Sequence, residues 1–435
     1  MMTFIGKMAV LGAFTITTTL ACPATAQDAA ASPELLFIHA GSVLADADTR
    51  PTGPATIVVQ DGRILRIDNG HTAPTGGARV VDLATKTVLP GLIDLHVHLT
   101  GDPGGDFWRE AVEPDEWGVV VGVKNAAKTL RAGFTTVREA GAAQHSAFAL
   151  RRGVAEGLIE GPRIIAAGPA LAIVGGHGDV SGFRPEINEI LSSGYSCTGP
   201  VECAGKVRRA AQNGADTIKI TATGGVLSQQ GRGLEAHFTD AEMTSIADTA
   251  HSLGLKVMAH AHGARGIEAA SRAGIDSIEH GTYLDEAAAK VMRENGTYLV
   301  PTLMAFQGVT ERLGKGIYTP VVEDKIRAVS ETAKVFMGKA YRWNVPIAFG
   351  TDAGVFEHGR NAEEFALMVR QGMSNRDALA SATTVAAKVL AMENEIGRLA
   401  PGYSADMIAV EGNPLDDVTV LEDVDWVMLR GRVAE

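Results

Sequence analysis

Six polar side chains break apolar runs where chemistry could use them. His96 and His98 close Leu92-Ile93-Asp94-Leu95-His96-Val97-His98, and Lys219 sits inside Ile218-Lys219-Ile220. His260 follows Lys256-Val257-Met258-Ala259, His280 follows Ser277-Ile278-Glu279, and Asp352 ends Phe349-Gly350-Thr351-Asp352. Residues two apart on a strand project from one face, so His96 and His98 can hold one metal ion between them. A lysine within an apolar strand is costly unless it is paired, neutralised or chemically altered. Each residue alone has an ordinary reading as a buried or rim side chain. The same pattern in five segments makes a shared site the better one.

These residues need elements to carry them. Short apolar strands are predicted at Leu92 to His98, Phe134 to Arg138, Arg163 to Ala167, Thr217 to Thr221, Lys256 to His260, Ser277 to His280, Tyr298 to Pro301 and Pro346 to Thr351. Helix-period segments separate them. Thr239-Asp240-Ala241-Glu242 reads as a capping box before apolar Met243, Ile246, Ala247 and Ala250. Gly133, Gly214, Gly254 and Gly274 fall where a left-handed helix cap belongs. Eight β/α units in about 300 residues favour an α/β fold of the TIM-barrel type, (β/α)8, whose catalytic residues sit at the C-terminal ends of the strands. A doubly wound sheet is the alternative.

The two ends of the chain share another texture. Leu36 to His39, Thr56 to Val59, Arg63 to Ile67 and Val80 to Leu83 read as strands, as do Asp406 to Val410 and Val424 to Leu429. They are expected to pair into a small β-sandwich bracketing the barrel, giving a leader at 1–26, a first sandwich part at 27–88, the barrel at 89–392 and a second sandwich part at 393–435.

The segments Pro90 to His98, Gly133 to Glu139, Gly214 to Ile220, Ala259 to His262, Ile278 to Gly281, Phe349 to Gly354 and Pro401 to Asp406 together resemble the amidohydrolase superfamily. The likeness is closest to its imidazolonepropionase-like, prolidase-like metal-dependent carboxypeptidase branch, which includes ochratoxin-hydrolysing amidohydrolases. The resemblance implies two divalent metal ions, with zinc expected. His96 and His98 would hold the more buried ion and His260 and His280 the other, with Lys219 bridging them as a carbamate. Asp352 would touch the buried ion and the bridging hydroxide that attacks the amide. An ammonium has no lone pair to donate, so Lys219 can serve only if carboxylated. Asp352 would then pass a proton to the leaving amine. Glu139 stands where this branch often has Asp, read as a neutral change in a supporting carboxylate.

Other residues are placed by position. His177, in Gly175-Gly176-His177-Gly178 after the third strand, could polarise the substrate carbonyl. His262 is the second candidate beside His260 and is assigned to substrate or support; His237 and Arg232 could meet a substrate carboxylate. The expected activity is cleavage of an amide bond to a C-terminal amino acid, from a small-molecule or dipeptide-like substrate. A cyclic-amide hydrolase or deaminase of the imidazolonepropionase type is the alternative; such deaminases generally use one metal and no bridging lysine. A homo-oligomer is expected. Gly224-Gly225 with Gly231 and Gly233 match no nucleotide-binding fingerprint, and no Gly-x-Ser-x-Gly elbow is present.

The 435 residues carry a formal net charge of -12, which gives no footprint for nucleic acid or an anionic membrane. At the N-terminus Lys7, the apolar run Met8 to Ala21 and Ala24-Thr25-Ala26 fit a secretory signal, so a secreted or periplasmic location is expected, with no membrane association beyond export. Lipidation at Cys22 is the weaker reading, because Thr19 stands where a lipobox has an aliphatic residue. Cys197 and Cys203 then remain, and an exported protein can join them in a disulfide. Mass spectrometry of the protein expressed in a bacterial host should show a mature start near Gln27; a retained Met1 in the periplasmic fraction would contradict this.

Overall fold

The computed structural model describes residues 35–434 except 76, 105–108, 110–111, 144, 181 and 229–232. The expected leader at 1–26, with Cys22, and Arg232 lie outside the described residues.

Strands Leu92–Val97, Phe134–Glu139 and Arg163–Ala166 form one parallel ladder, and Thr217–Thr221, Lys256–Ala261, Ser277–His280 and Tyr298–Val300 form another. Backbone bonds from Leu171 N–H to Lys219 O (2.8 Å) and from Thr221 N–H to Leu171 O (3.0 Å) join the two. The segment expected as the eighth strand closes the ring. It accepts from Leu299 N–H at Pro346 O (2.8 Å) on one side and from Leu95 N–H at Phe349 O (3.0 Å) on the other. The result is the (β/α)8 barrel, with helices such as Asp115–Arg131, Asp240–Ser252 and Glu286–Asn295 between strands.

That eighth segment is not a regular strand, and the reason is local. Thr351 N–H donates to the Asp94 carboxylate (3.1 Å) instead of a neighbouring backbone, and Asp352 turns into the left-handed region at φ 64°. A side chain has taken over a ladder position. Elsewhere the reading of the elements is direct. Thr239 Oγ1 accepts from Glu242 N–H, and Glu242 reaches back to Thr239 N–H (2.8 Å), so the capping box starts helix Asp240–Ser252 with Met243, Ile246, Ala247 and Ala250 buried. Gly133, Gly214, Gly254 and Gly274 all adopt positive φ after their helices.

The termini meet in one continuous seven-stranded sheet. Its order is Arg432–Val433, Val424–Leu429, Met407–Val410, Arg79–Pro90, Leu36–Val43, Ala55–Gln60 and Arg63–Asn69. Leu36–Val43 pairs in parallel with Arg79–Pro90, and the other neighbours are antiparallel. Ile38, Ile57, Ile64, Val88, Met407 and Met428 form a core of its own. The long strand Arg79–Pro90 leads through Gly91 straight into the first barrel strand, so the sheet is continuous in chain with the element that carries His96.

A two-stranded ribbon, Ala172–Ile173 with Ser196–Cys197, brackets the segment carrying His177. Cys197 is bonded to Cys203 of helix Pro200–Gln212, which ties the ribbon to the barrel's outer layer. Among the described residues no helix is long and apolar enough to cross a membrane.

Gly91 is the tightest joint between sheet and barrel. A Cβ there would lie 2.2 Å from Thr135 Oγ1 and 2.8 Å from Thr135 Cβ, both on a fully packed side chain. Gly91→Ala should therefore destabilise the protein by about 1–3 kcal/mol through overpacking, read as a lower denaturant midpoint with unchanged slope; an unchanged midpoint would contradict it.

Candidate active site

The six residues that stood out in the sequence converge at one rim of the barrel, around a cavity of about 480 Å³. His96 Nε2 and His98 Nε2 lie 3.4 Å and 3.3 Å from the same oxygen of Asp352, and Lys219 Nζ lies 3.3 Å from His96 Nε2. The His260 and His280 rings are 4.5 Å apart between centroids, and His280 is 5.2 Å from His96. One ligand atom each from His96, His280 and Asp352 lie within 4.8 Å of one another, a cluster able to hold a metal ion.

Neighbouring groups decide which nitrogen each imidazole presents. His96 Nδ1 is bound to Glu279 (2.8 Å), His98 Nδ1 to Gly141 O (2.8 Å) and His280 Nδ1 to Thr302 Oγ1 (2.7 Å), which leaves each Nε2 for the cavity. His260 is the reverse: its Nε2 pairs with Gly224 O (3.2 Å), leaving Nδ1. Ser277 and Arg138 in turn donate to Glu279 (2.6 and 2.9 Å), and Arg138 also reaches Leu95 O (2.6 Å). The bond to Arg138 and His96 holds Glu279 down at about 2 despite burial, so it is charged at any working pH.

Burial keeps most of these imidazoles neutral, the form that ligates metals. It pushes His96 down to about 4 and His260 and His280 well below the usual value. His98 is the exception: burial opposes its charge, but the hydrogen bond and negative charge of Asp352 outweigh that and raise it. Asp352 is held well below the carboxylate range, since burial is outweighed by His96 and by the bond from His98. Burial also lowers Lys219, against the pull of Glu279 and Asp352.

Strand ends here bend in a way most residues avoid. His280, Thr302 and Asp352 all take positive φ (73°, 49° and 64°), each at a cost of about 1–3 kcal/mol that surrounding contacts must hold. Those contacts are identifiable. Asp94, which burial raises to about 6, accepts from His96 N–H, Thr351 N–H, Thr351 Oγ1 and Asn361 Nδ2 (2.6–3.1 Å). Glu364, kept well above the carboxylate range by burial, accepts from Leu303 N–H (2.8 Å) and Met304 N–H (2.6 Å), just after Thr302. Glu139 accepts from Leu99 N–H (2.6 Å) and lies 3.8 Å from His98, and burial raises it to about 7.

The remaining expected residues separate. His177 and His262 line the cavity, with ring centroids 4.2 and 4.6 Å from His260. Burial lowers both to about 3, and His262 Nδ1 pairs with Thr282 Oγ1 (2.7 Å). His237 lies against Gly176 and Gly224, outside the cavity lining. Several contributors gave no signal in the sequence. Gly225 is one: a Cβ there would come within 2.3 Å of the His177 ring. Lys325 is another, donating to Gly225 O (2.9 Å) and Ser228 O (2.5 Å) from a helix 100 residues away and thereby fixing the wall that carries Val226 and Leu227. Most of the rest of the wall is apolar, with Ala140, Ala142, Pro169, Phe306, Val309 and Val355 beside the hydroxyls of Ser193 and Thr221.

Comparison with known proteins agrees with this geometry. Residues 87–434 match the model of the amidohydrolase family. Ochratoxinase of Aspergillus niger is 32% identical over 418 residues, 90% of this chain and 84% of that protein. The crystal structure of a Xaa-Pro dipeptidase with bound methionine in the active site superposes with a TM-score of 0.85 at 38% identity, covering 92% of this chain and 100% of that one. A prolidase complexed with N-methylphosphonate-L-proline gives a TM-score of 0.85 at 31% identity, covering 92% and 99%. The chain belongs to the amidohydrolase family, and is a hydrolase of carbon–nitrogen amide bonds.

Proposed function

We propose that this protein is an exported binuclear metal-dependent amidohydrolase that releases an apolar C-terminal amino acid from an N-acyl or dipeptide-like substrate. The observation that carries the reading is the convergence of His96 Nε2, His98 Nε2 and Lys219 Nζ about Asp352 at the foot of an otherwise apolar cavity.

The donor set fits two divalent ions. His96, His98 and Asp352 would hold one and His260 and His280 the other, with Lys219 between them. The lowered Lys219 supports its bridging role, because only the neutral amine adds carbon dioxide to form a carbamate, releasing one proton. Zinc suits imidazole and carboxylate donors of this kind. Bound there, such ions lower the pKa of water towards ~7 and polarise the scissile carbonyl.

The chain's own residues supply the rest. Asp352, held charged, accepts the proton of the attacking water and delivers it to the departing amine nitrogen. His177, neutral through burial, can donate one ring N–H to the carbonyl oxygen as charge develops there. Gly225 and Lys325 keep that ring against the cavity wall.

Ochratoxinase and Xaa-Pro dipeptidase, by their names, act on an ochratoxin and on dipeptides. The wall of this cavity supports an apolar residue such as Phe or Leu: among its described lining residues the only carboxylate is Asp352, which leaves nothing else to receive a substrate cation. Recognition of the substrate carboxylate falls to His177, His262 or Arg232, since a net charge of -12 gives an anion no long-range steering.

Two experiments test this. Lys219→Ala should lose at least one of two metals by elemental analysis and drop turnover by at least about a hundredfold, more than loss of a supporting partner costs, with partial rescue by short carboxylic acids. Full metal content and normal turnover would overturn the bridging role, and one metal in the unaltered protein would favour the deaminase-like alternative. For the substrate, N-acyl-phenylalanine should be cleaved faster than both its C-terminal amide and N-acyl-lysine. Equal rates on acid and amide would refute carboxylate recognition, and faster turnover of the lysine compound would refute the apolar preference.

A further inference from the structure

A second cavity, about 990 Å³, opens at the opposite end of the barrel from the metal-binding cluster, where the barrel meets the terminal sheet. It is lined by the starts of barrel strands, at Arg163 and Asp216, and by the hairpin Leu429 to Arg432 that ends the sheet. Six arginines face three carboxylates there, in a protein that is acidic overall.

The carboxylates are largely committed. Asp216 pairs with Arg151 and accepts from Ala166 N–H (2.9 Å), and Glu395 pairs with Arg163 (3.1 Å). Asp61 is exposed at a turn. Several cations are not neutralised in return. The Arg63 guanidinium donates only to a backbone carbonyl, Gly402 O (2.7 Å), and the side chains of Arg430 and Arg432 make no hydrogen bond or ion pair among the described residues. Arg163, over nine-tenths buried, bonds through Nη1 and Nη2 to Glu395, Ser404 and Asp406, yet its Nε–H has no acceptor. A buried donor without a partner costs about 1–3 kcal/mol.

We propose that this cavity is an anion site for a phosphoryl group, held by Arg430, Arg432 and Arg63 with Arg163 Nε–H at its base. Planar guanidinium forks match the oxygens of a phosphate, and the side chains of Arg430 and Arg432, which line the cavity without a carboxylate partner, are free to pair with one. The volume exceeds that of a bare phosphate, so a phosphomonoester also fits. Because the site joins the starts of the third and fourth barrel strands to the last hairpin of the chain, its ligand would clamp the terminal sheet to the barrel.

The test is thermal unfolding of the purified, metal-loaded protein in a phosphate-free buffer, titrated with inorganic phosphate, glycerol 2-phosphate, or sodium chloride at matched ionic strength. The expected result is a saturable rise in Tm with the phosphoryl compounds beyond that with chloride, and binding weakened by about tenfold or more in Arg430→Gln/Arg432→Gln. Both positions are exposed and outside the catalytic cavity, so amide hydrolysis by the double variant should be unchanged. Tighter binding of glycerol 2-phosphate would assign a phosphomonoester, and tighter binding of phosphate the free ion. No rise beyond chloride, or an equal rise in the double variant through phosphate at the metal centre, would overturn the proposal.

Discussion

The carboxylate of Asp94 is the constraint on which the catalytic rim depends. It has no exposure to solvent, and it meets four donors from three residues, one beside it in sequence and two more than 250 positions away. His96 N–H belongs to the first barrel strand, whereas both Thr351 donors belong to the irregular segment that closes the ring. Asn361 braces it from beyond. Because one group satisfies both sides of the seam, the backbone can leave the strand geometry at Asp352 without stranding a buried N–H. That departure is what brings the Asp352 carboxylate within 3.4 Å of His96 and His98. Burial raises Asp94 only to about 6, so it stays largely charged at neutral pH, and charged acceptors make the stronger hydrogen bonds.

A second buried charge works on the imidazoles themselves. Arg138 and Glu279 are both shielded from water, and an ion pair in that setting is weak evidence for stability, since desolvation offsets much of the attraction. Its use here is positional. With Glu279 accepting from His96 Nδ1, the tautomer and the ring plane are fixed. Thr302 does the same for His280, and Glu364 holds the turn in which Thr302 sits. The Nε2 atoms of His96 and His280 are thus turned to the cavity by partners whose own surroundings are hydrogen-bonded.

The main site was legible because each of its members is a polar interruption at the end of an apolar strand, and strand ends share a rim in a barrel. His96, His98, Lys219, His260, His280 and Asp352 needed no knowledge of pairing to be found. Thr302, Glu364, Asn361 and Lys325 were not visible, because their roles arise from contacts spanning 22 to 267 residues and their local sequences are unremarkable. His237 shows the limit from the other side: a histidine in the right loop faces the glycine turns and not the cavity. The terminal strands were readable by pattern, but their partners were not: alternation does not say that Leu36–Val43 pairs in parallel with Arg79–Pro90, which is a long-range fact.

The barrel divides its labour between its two ends. At the C-terminal ends of the strands, strained backbone and neutral imidazoles surround an apolar cavity. At the N-terminal ends, Arg163 pairs with Asp406 (2.8 Å), whose other oxygen accepts from Arg430 N–H and whose carbonyl accepts from Gly91 N–H (3.0 Å). One aspartate there joins the third barrel strand, the last hairpin and the entry to the first barrel strand. The run Gly91 to Leu95 makes that network continuous in chain with His96, so the sheet formed by the two chain ends helps to seat the strand that carries it. The terminal sheet therefore supports the candidate site's framework, even though among the described residues it contributes no side chain to the cavity.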